Sequence, residues 1–255
     1  MKLSIINFNI QNKVVNKNYD GGENAKAFAK FINKQNPDII CLQELTDTYE
    51  NRLKTFMQNY HFSGENRFNN KSIWYSHFGE KNAIITNLKI IKTKTYSLSK
   101  NINKIGKRSL LSIFPRIATV TTITKEKRKF TVINTHLDHL TNTGRKTQLI
   151  YLKQIIELNN NYPIILTGDF NLNKDNKLFQ EFVKYMQTKN CKLVPVEEKT
   201  FKPPVNPFKL SYNCKTPDHI FIPKEFIIEN VDVIDNDFSD HKLIKIKRTK
   251  CQNKF

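Results

Sequence analysis

Apolar and polar positions alternate along LSIINFNI (3–10), the two-residue period of a strand. The period lengthens at ENAKAFAKFINKQ (23–35), where Ala27, Phe28, Phe31 and Ile32 fall on one helical face and Pro37 ends the run. DIICLQ (38–43) is a continuous apolar stretch, as expected of a strand buried on both faces, and Glu44 follows it. Residues 46–60 return to helical spacing, with Leu53, Phe56 and Met57 inward. Strand-like segments are expected at 72–76, 82–87 and 89–96, then a polar, Lys-rich loop over 97–112. PRIATVTTI (115–123) and KFTVINTHL (129–137) flank KEKR and predict a hairpin. Residues 144–160 form an amphipathic helix with Leu149, Leu152, Ile155 and Ile156 inward. A buried strand at 163–167, a helix near 176–187 and an irregular Pro-rich stretch over 195–217 follow. DHIFI (218–222), IIENVDVI (227–234) and HKLIKIK (241–247) close the chain as strands.

Many of these strands are apolar on both faces, which predicts an α/β fold of sheets stacked face to face with helices outside. The order also repeats. A strand, a helix and a buried strand ending in an acid occur at 3–44 and again at 130–169, so Glu44 and Asp169 are expected at comparable edges of two sheets.

Composition narrows the class. The 255 residues, 38 % hydrophobic, suit one domain spanning 1–255 with a substantial core. No apolar run reaches the length of a membrane span. MKLSIINFNIQNK reads as a first strand and not a signal peptide, so an intracellular protein is expected. Cys41, Cys191, Cys214 and Cys251 are widely spread, without the spacing of a disulfide framework or zinc knuckle. The net charge of +19 favours anionic partners, with nucleic acid first and an anionic lipid headgroup as the alternative. The excess is nearly all Lys, so a purely solvating surface is the competing reading. Arg is scarce, which argues against bidentate reading of guanines.

Polar residues recur where strands end: Asn9, Glu44, His136, Asp138, Asp169, Asn171, Asp218, Asp240 and His241. Singly, each has a structural explanation as a turn former, a cap or a satisfied core group. Together they hold hard oxygen donors for Mg²⁺ or Mn²⁺ and two imidazoles for proton handling near neutral pH. Hydrolysis of a phosphodiester needs that inventory. Asp240 and His241 are adjacent and reach one site only if the chain bends before the last strand. His136 and Asp138 share a face, which leaves His139 outside; His219 alternates away from Asp218 in the same way. A zinc site on HLDH is the rival reading, but its ligand spacing does not fit.

The order FNI, LQE, NTHLDH, GDFN, PDHIF and SDH resembles the endonuclease/exonuclease/phosphatase superfamily, which includes the DNase I-like nucleases. KNAIIT (81–86) and the Arg145/Gln148 pair in GRKTQLIYL add to the likeness, which runs from about residue 3 to residue 247. The resemblance implies a four-layer α-β-β-α sandwich of two mixed sheets with the site at one end. It implies that Glu44 binds the metal with Asp240 and Asn9 close by, and that Asp169 orients or deprotonates the attacking water. It implies that Asn171 holds a phosphoryl oxygen, that His241 contacts the phosphate with Asp218 on its far nitrogen, and that His136 assists the leaving group. The division of acid and base work between the histidines stays open. Asn82 stands where many relatives carry a Glu, so it is expected to hydrogen-bond His136 without adding charge. Asp138, Arg116 and Arg145 are further candidates for binding or orienting phosphate. NTHL differs from the motif of relatives that cut abasic DNA, which argues against that activity. A monomeric nuclease acting on DNA or RNA is the first expectation. Phosphoinositide or lipid phosphoesterase, with Phe201 or Phe208 touching the membrane, and removal of tyrosyl adducts from DNA ends are the alternatives. A binding protein on an inactive enzyme fold is disfavoured because every position the chemistry needs is filled.

Overall fold

Two crossover units organise the chain. In the first, β1 (Lys2–Asn9), α1 (Gly21–Gln35) and β2 (Ile39–Leu45) bring two strands together in parallel, with Asn9 opposite Gln43. In the second, β7 (Arg128–His136), α3 (Asn142–Leu158) and β8 (Ile164–Asp169) do the same, with His136 opposite Asp169. The computed structural model describes residues 2–11, 21–68, 79–202 and 214–251. The repeat predicted from sequence is therefore two equivalent scaffolds, one per sheet.

Antiparallel strands complete each sheet. The first sheet adds β3 (His61–Ser63), β4 (Lys81–Thr86), β11 (Phe226–Ile227), β12 (Asn230–Ile234) and β13 (Leu243–Cys251). Its order is β11-β13-β1-β2-β4-β3, with β12 also on β13. The second adds β5 (Lys89–Ser97), β6 (Ile117–Lys125), β9 (Cys191–Leu193) and β10 (Asp218–Pro223) in the order β5-β6-β7-β8-β10-β9. The β6–β7 hairpin turns at Glu126 and Lys127, whose φ of 48° and 65° give the left-handed pair a tight hairpin needs.

Three apolar layers hold the sheets and helices together. Ile5, Ile39, Cys41, Ile84, Val132, Ile165, Ile220 and Ile244 pack between the sheets. Phe8, Ile40 and Leu42 pack outward on α1 and on α2 (Asp47–Phe56). Ile133, Leu166 and Phe221 pack on α3 and on α4 (Lys177–Thr188). This is the predicted four-layer sandwich of two mixed sheets with helices outside. Burying each such side chain stabilises by about 2 kcal/mol, which is why strands apolar on both faces fit nowhere but the middle layers.

Several boundaries and faces differ from the sequence reading. The buried face of α1 is Ala25, Phe28, Ala29 and Ile32, an i, i+3, i+4, i+7 stripe, and Ala27 is exposed. The helix expected over 46–60 stops at Phe56, which is exposed, and β3 begins at His61. IIENVDVI is broken into β11 and β12, and the last strand starts at Leu243. The strand expected at 72–76 lies outside the described residues, as does the middle of the Pro-rich stretch with Phe208. Among the described residues, no helix is long and apolar enough to cross a membrane.

Candidate active site

The C-terminal ends of β1, β2, β7 and β8 open at the same end of the sandwich, and the start of β10 joins them. Asp218 lies opposite Asp169 in the antiparallel β8–β10 pair. Gly168 lets β8 run that close to β7, because a Cβ there would collide with the Thr135 carbonyl. The Gly of GDFN is thus fixed by strand packing one residue before the acid.

Asn9 joins the two sheets. Its Nδ2 donates to Glu44 Oε1 and to Asp169 Oδ2, each at 3.0 Å. Its Oδ1 accepts from Gln11 N at 3.0 Å, so the amide nitrogen, not the oxygen, faces the acids. Glu44 sits at a bulge in the β2–β4 pairing with φ +61°. The bulge sends Gln43 between the sheets and still delivers Glu44 to the site. The bend needed before β13 is present. Ser239 Oγ donates to Asn9 O at 2.7 Å and accepts from His241 N at 3.1 Å, which turns Asp240 and His241 toward the same end. Gln11 Nε2 lies 3.3 Å from Asp240 Oδ2.

Reaching across from the end of the first sheet, His241 Nδ1 donates to Asp218 Oδ2 of the second at 2.9 Å, and Thr200 Oγ1 donates to that oxygen at 2.7 Å. His241 Nε2 and His136 Nε2 lie 3.7 Å and 3.6 Å from Asp169 Oδ2. Asp169 Oδ1 accepts from Asn171 N at 2.9 Å, and Asn171 Nδ2 donates to Leu137 O at 3.0 Å. Asn9, Glu44, His136, Asp169, Asn171, Asp218, Asp240 and His241 therefore share one pocket.

The electrostatics divide the pocket. Burial raises Asp169 to about 7, against the lowering effects of His241 and of the bonds from Asn9 and Asn171. Burial opposes a charge on His241, but Asp218, Asp169 and Asp240 outweigh it and lift the imidazole to about 10. Burial, together with Arg116 and Arg67, drives His136 well below the ordinary histidine value. One histidine is thus a cation and the other neutral at neutral pH. Burial raises Asp240, and the nearby Glu44 raises it further.

Two acid groups could hold a divalent ion. Asp169, Asp218 and His241 place one donor atom each within 4.8 Å. His241 spends its Nδ1 on Asp218, so only Nε2, a softer donor than a carboxylate oxygen, is left to face an ion. Glu44 and Asp240 fit better. Both are oxygen donors, and the Glu44 carboxylate raises the cost of ionising Asp240, which a hard cation would offset.

Of the remaining candidates, Asn82, Asp138 and Arg145 serve the surrounding frame, and Arg116 lies close enough for its charge to act on His136. Asn82 does not bond His136; its Nδ2 donates to Ile117 O at 2.7 Å and ties the two sheets. Asp138 accepts from Leu140 N at 3.1 Å and Thr141 N at 3.2 Å and pins the loop before α3. Arg145 braces the same loop through Asp138 O at 3.1 Å. Arg116 is buried with its Nη2 3.1 Å from His139 Nδ1. Arg67 escaped the sequence reading. It is buried, pairs with Glu80 at 2.8 Å and covers the Phe114 ring at 4.8 Å, and its charge reaches His136. Also missed was a polar belt beneath the pocket. Gln43 Nε2 donates to Asn7 Oδ1 at 2.8 Å and Asn134 Oδ1 at 2.7 Å. Asn134 Nδ2 donates to Leu42 O and Ala83 O at 2.9 and 2.8 Å. Asn7, Asn134 and Thr167 each precede a pocket residue by two positions, which is the signal that could have found them.

A family model for the Endonuclease/Exonuclease/phosphatase family matches residues 6–241. The chain belongs to that family. With membership comes the reaction class, metal-dependent hydrolysis of phosphate esters. Solved structures agree on the fold. An endonuclease/exonuclease/phosphatase family protein from Bacteroides thetaiotaomicron superposes with TM-score 0.81 at 19 % identity, covering 98 % of each chain. The mannosyl-6-phosphatase of the same organism gives TM-score 0.77 at 20 % identity, covering 96 % of this chain and 99 % of that one. D. rerio TDP2 complexed with a single-strand DNA product gives 0.68 at 19 % identity, covering 98 % and 99 %. No curated protein matches the sequence significantly.

Proposed function

We propose that this family member is a Mg²⁺- or Mn²⁺-dependent phosphodiesterase acting on nucleic acid, with the whole chain working as one catalytic domain. The observation that carries the reading is the Asn9 bridge, which brings Glu44 of one sheet and Asp169 of the other to a single pocket. Neither sheet alone holds the set. The substrate class rests on the net charge of +19, which suits a polyanion.

Glu44 and Asp240 would hold the ion, with Asn9 orienting Glu44 through its amide nitrogen. The ion would withdraw charge from the phosphoryl oxygens and lower the barrier to attack. Asp169, fixed by Asn9 and Asn171, takes the proton of the attacking water; its raised pKa suits that task near neutral pH. The His241 imidazolium, held by Asp218, donates from Nε2 to the phosphate. His136, neutral, donates one hydrogen bond toward the departing oxygen. Asn171 steadies a phosphoryl oxygen with the amide hydrogen not given to Leu137 O. The basic side chains Arg116 and Arg67 draw the anion in. The free thiols of Cys41, Cys191 and Cys214 fit a reducing, intracellular setting, and the protein acts as a monomer in this reading.

The test is a substrate panel with Mg²⁺: supercoiled plasmid, linear duplex, single strands, a tyrosyl-DNA end, a phosphoinositide and sphingomyelin. Plasmid nicking that chelator abolishes is the expected result. Inorganic phosphate from the phosphoinositide, choline phosphate from sphingomyelin or tyrosine release without nicking would replace the nuclease reading with the corresponding one.

A further inference from the structure

The loop between β5 and β6 is inside out. Over residues 109–113, Ser109 and Ser112 are buried, while Leu110, Leu111 and Ile113 are 67 %, 60 % and 56 % exposed. Hydrogen bonds enforce the inversion. Gln148 Nε2 donates to Ser109 Oγ at 2.9 Å. Ser112 Oγ lies 2.7 Å from Phe114 O and 3.2 Å from Asp138 Oδ1. Leu111 adopts φ +59°, a left-handed backbone that a leucine takes at a cost. The chain thus accepts strain and hides two hydroxyls in order to present three aliphatic side chains to solvent. Asp138 also fixes Leu140 N at 3.1 Å, and Leu140 is exposed, so a fourth apolar side chain joins the same end of the sandwich.

The patch adjoins both the pocket and a basic rim. Three residues beyond Ile113, Arg116 contacts His139 and bears on His136, and Phe114 stacks on Arg67. Lys100, Lys104, Lys107 and Arg108 are exposed on the preceding part of the loop. Aliphatic tips flanked by cations match an anionic bilayer, where the tips enter the acyl boundary and the cations meet the headgroups. A second copy fits poorly, because face-to-face pairing would set the four cations against their own copies. Nucleic acid would use the cations, but leucine and isoleucine offer bases no stacking face.

We propose that the 97–113 loop docks the protein on an anionic membrane surface, with Leu110, Leu111, Ile113 and Leu140 as the inserting group. Docking places the mouth of the pocket at the lipid–water boundary, whichever phosphodiester is cleaved there. The site thus takes a second ligand class, anionic phospholipid, through residues that play no part in hydrolysis.

Flotation with vesicles of phosphatidylcholine plus about one-third phosphatidylserine tests it. Wild-type protein is expected to float with these vesicles and not with pure phosphatidylcholine. The triple variant Leu110→Ser, Leu111→Ser, Ile113→Ser should lose at least about tenfold in partitioning. Its melting temperature and its Mg²⁺-dependent hydrolysis of bis(p-nitrophenyl) phosphate should stay at the wild-type level. The pair Lys104→Glu, Lys107→Glu should weaken binding in a salt-dependent way. No flotation of the wild type overturns the proposal, as does flotation that the triple variant retains in full, which would be adsorption by charge alone. A triple variant that loses duplex-oligonucleotide binding and keeps vesicle binding would reassign the loop to nucleic acid. Flotation and melting temperature are read without catalysis, so failure here is distinct from failure of the nuclease assignment.

Discussion

The β1–α1–β2 and β7–α3–β8 units are built alike and differ in what they place at the same end. The first ends in Asn9 and Glu44, and the Glu44 side chain keeps 21 % of its surface exposed. The second ends in His136 and Asp169, whose side chains keep 7 % and 2 %. The more open end carries the Glu44 carboxylate, a hard oxygen donor, and the sealed end carries groups whose protonation burial has shifted. In the proposed mechanism this difference separates ion binding from proton handling, since a cation needs access and a tuned base needs exclusion of water.

The division can be broken from either side. Asp169→Asn keeps the shape of the side chain and removes the proposed base. It should lower kcat about a thousandfold with little change in melting temperature or in the Mg²⁺ concentration for half-maximal rate. Initial rates across a metal titration check this, and near-normal kcat would deny Asp169 its role.

Asn134→Leu attacks the belt on which both units rest. It removes one of the two bonds of Gln43 Nε2 and the side-chain donor to the carbonyls of Leu42 and Ala83 between the sheets. A loss of about 3 kcal/mol in urea unfolding is expected. Glu44→Gln should leave stability intact and raise the Mg²⁺ requirement up to about a hundredfold, with excess metal restoring much of the rate. Equal loss of rate at all metal concentrations would erase the contrast between the two ends.

The smallest effect concerns the far side of β10. His219 Nε2 donates to Leu172 O at 2.7 Å, and its ring stacks 3.9 Å from Phe179. Burial lowers its pKa from 6.5 to about 4. Because the folded value lies below the unfolded one, its stability contribution is present above pH 6.5 and is lost as pH falls toward 4. Between pH 7 and 5 the wild type should lose about 2 kcal/mol that His219→Gln does not lose. Unfolding curves of both proteins at the two pH values decide it.

Pocket residues were legible where two signals met. GDFN combined a buried run with a Gly and an acid, and the alternation in NTHLDH separated His136 from His139. Two helical faces were misread. Ala27 and Phe56 sit one position off the buried stripe, and helical periodicity cannot by itself tell a stripe's edge from its flank. Asn82 was expected to bond His136 and instead donates to Ile117 O, because a side chain's nearest acceptor can lie on another strand. The belt of Asn7, Gln43 and Asn134 went unread, because an amide inside an apolar strand shows its purpose only when the facing sheet supplies its bonds.

By itself, the order of apolar runs and strand-end acids determined the layers, the two repeated units and the reaction class, since each follows from burial preferences and residue types close along the chain. Tertiary structure alone decided which histidine is charged, that Asn9 spans the sheets through its nitrogen, and that serines turn in while leucines turn out at 109–113. Those outcomes depend on fields and hydrogen bonds between segments up to 160 residues apart, which a linear pattern does not encode.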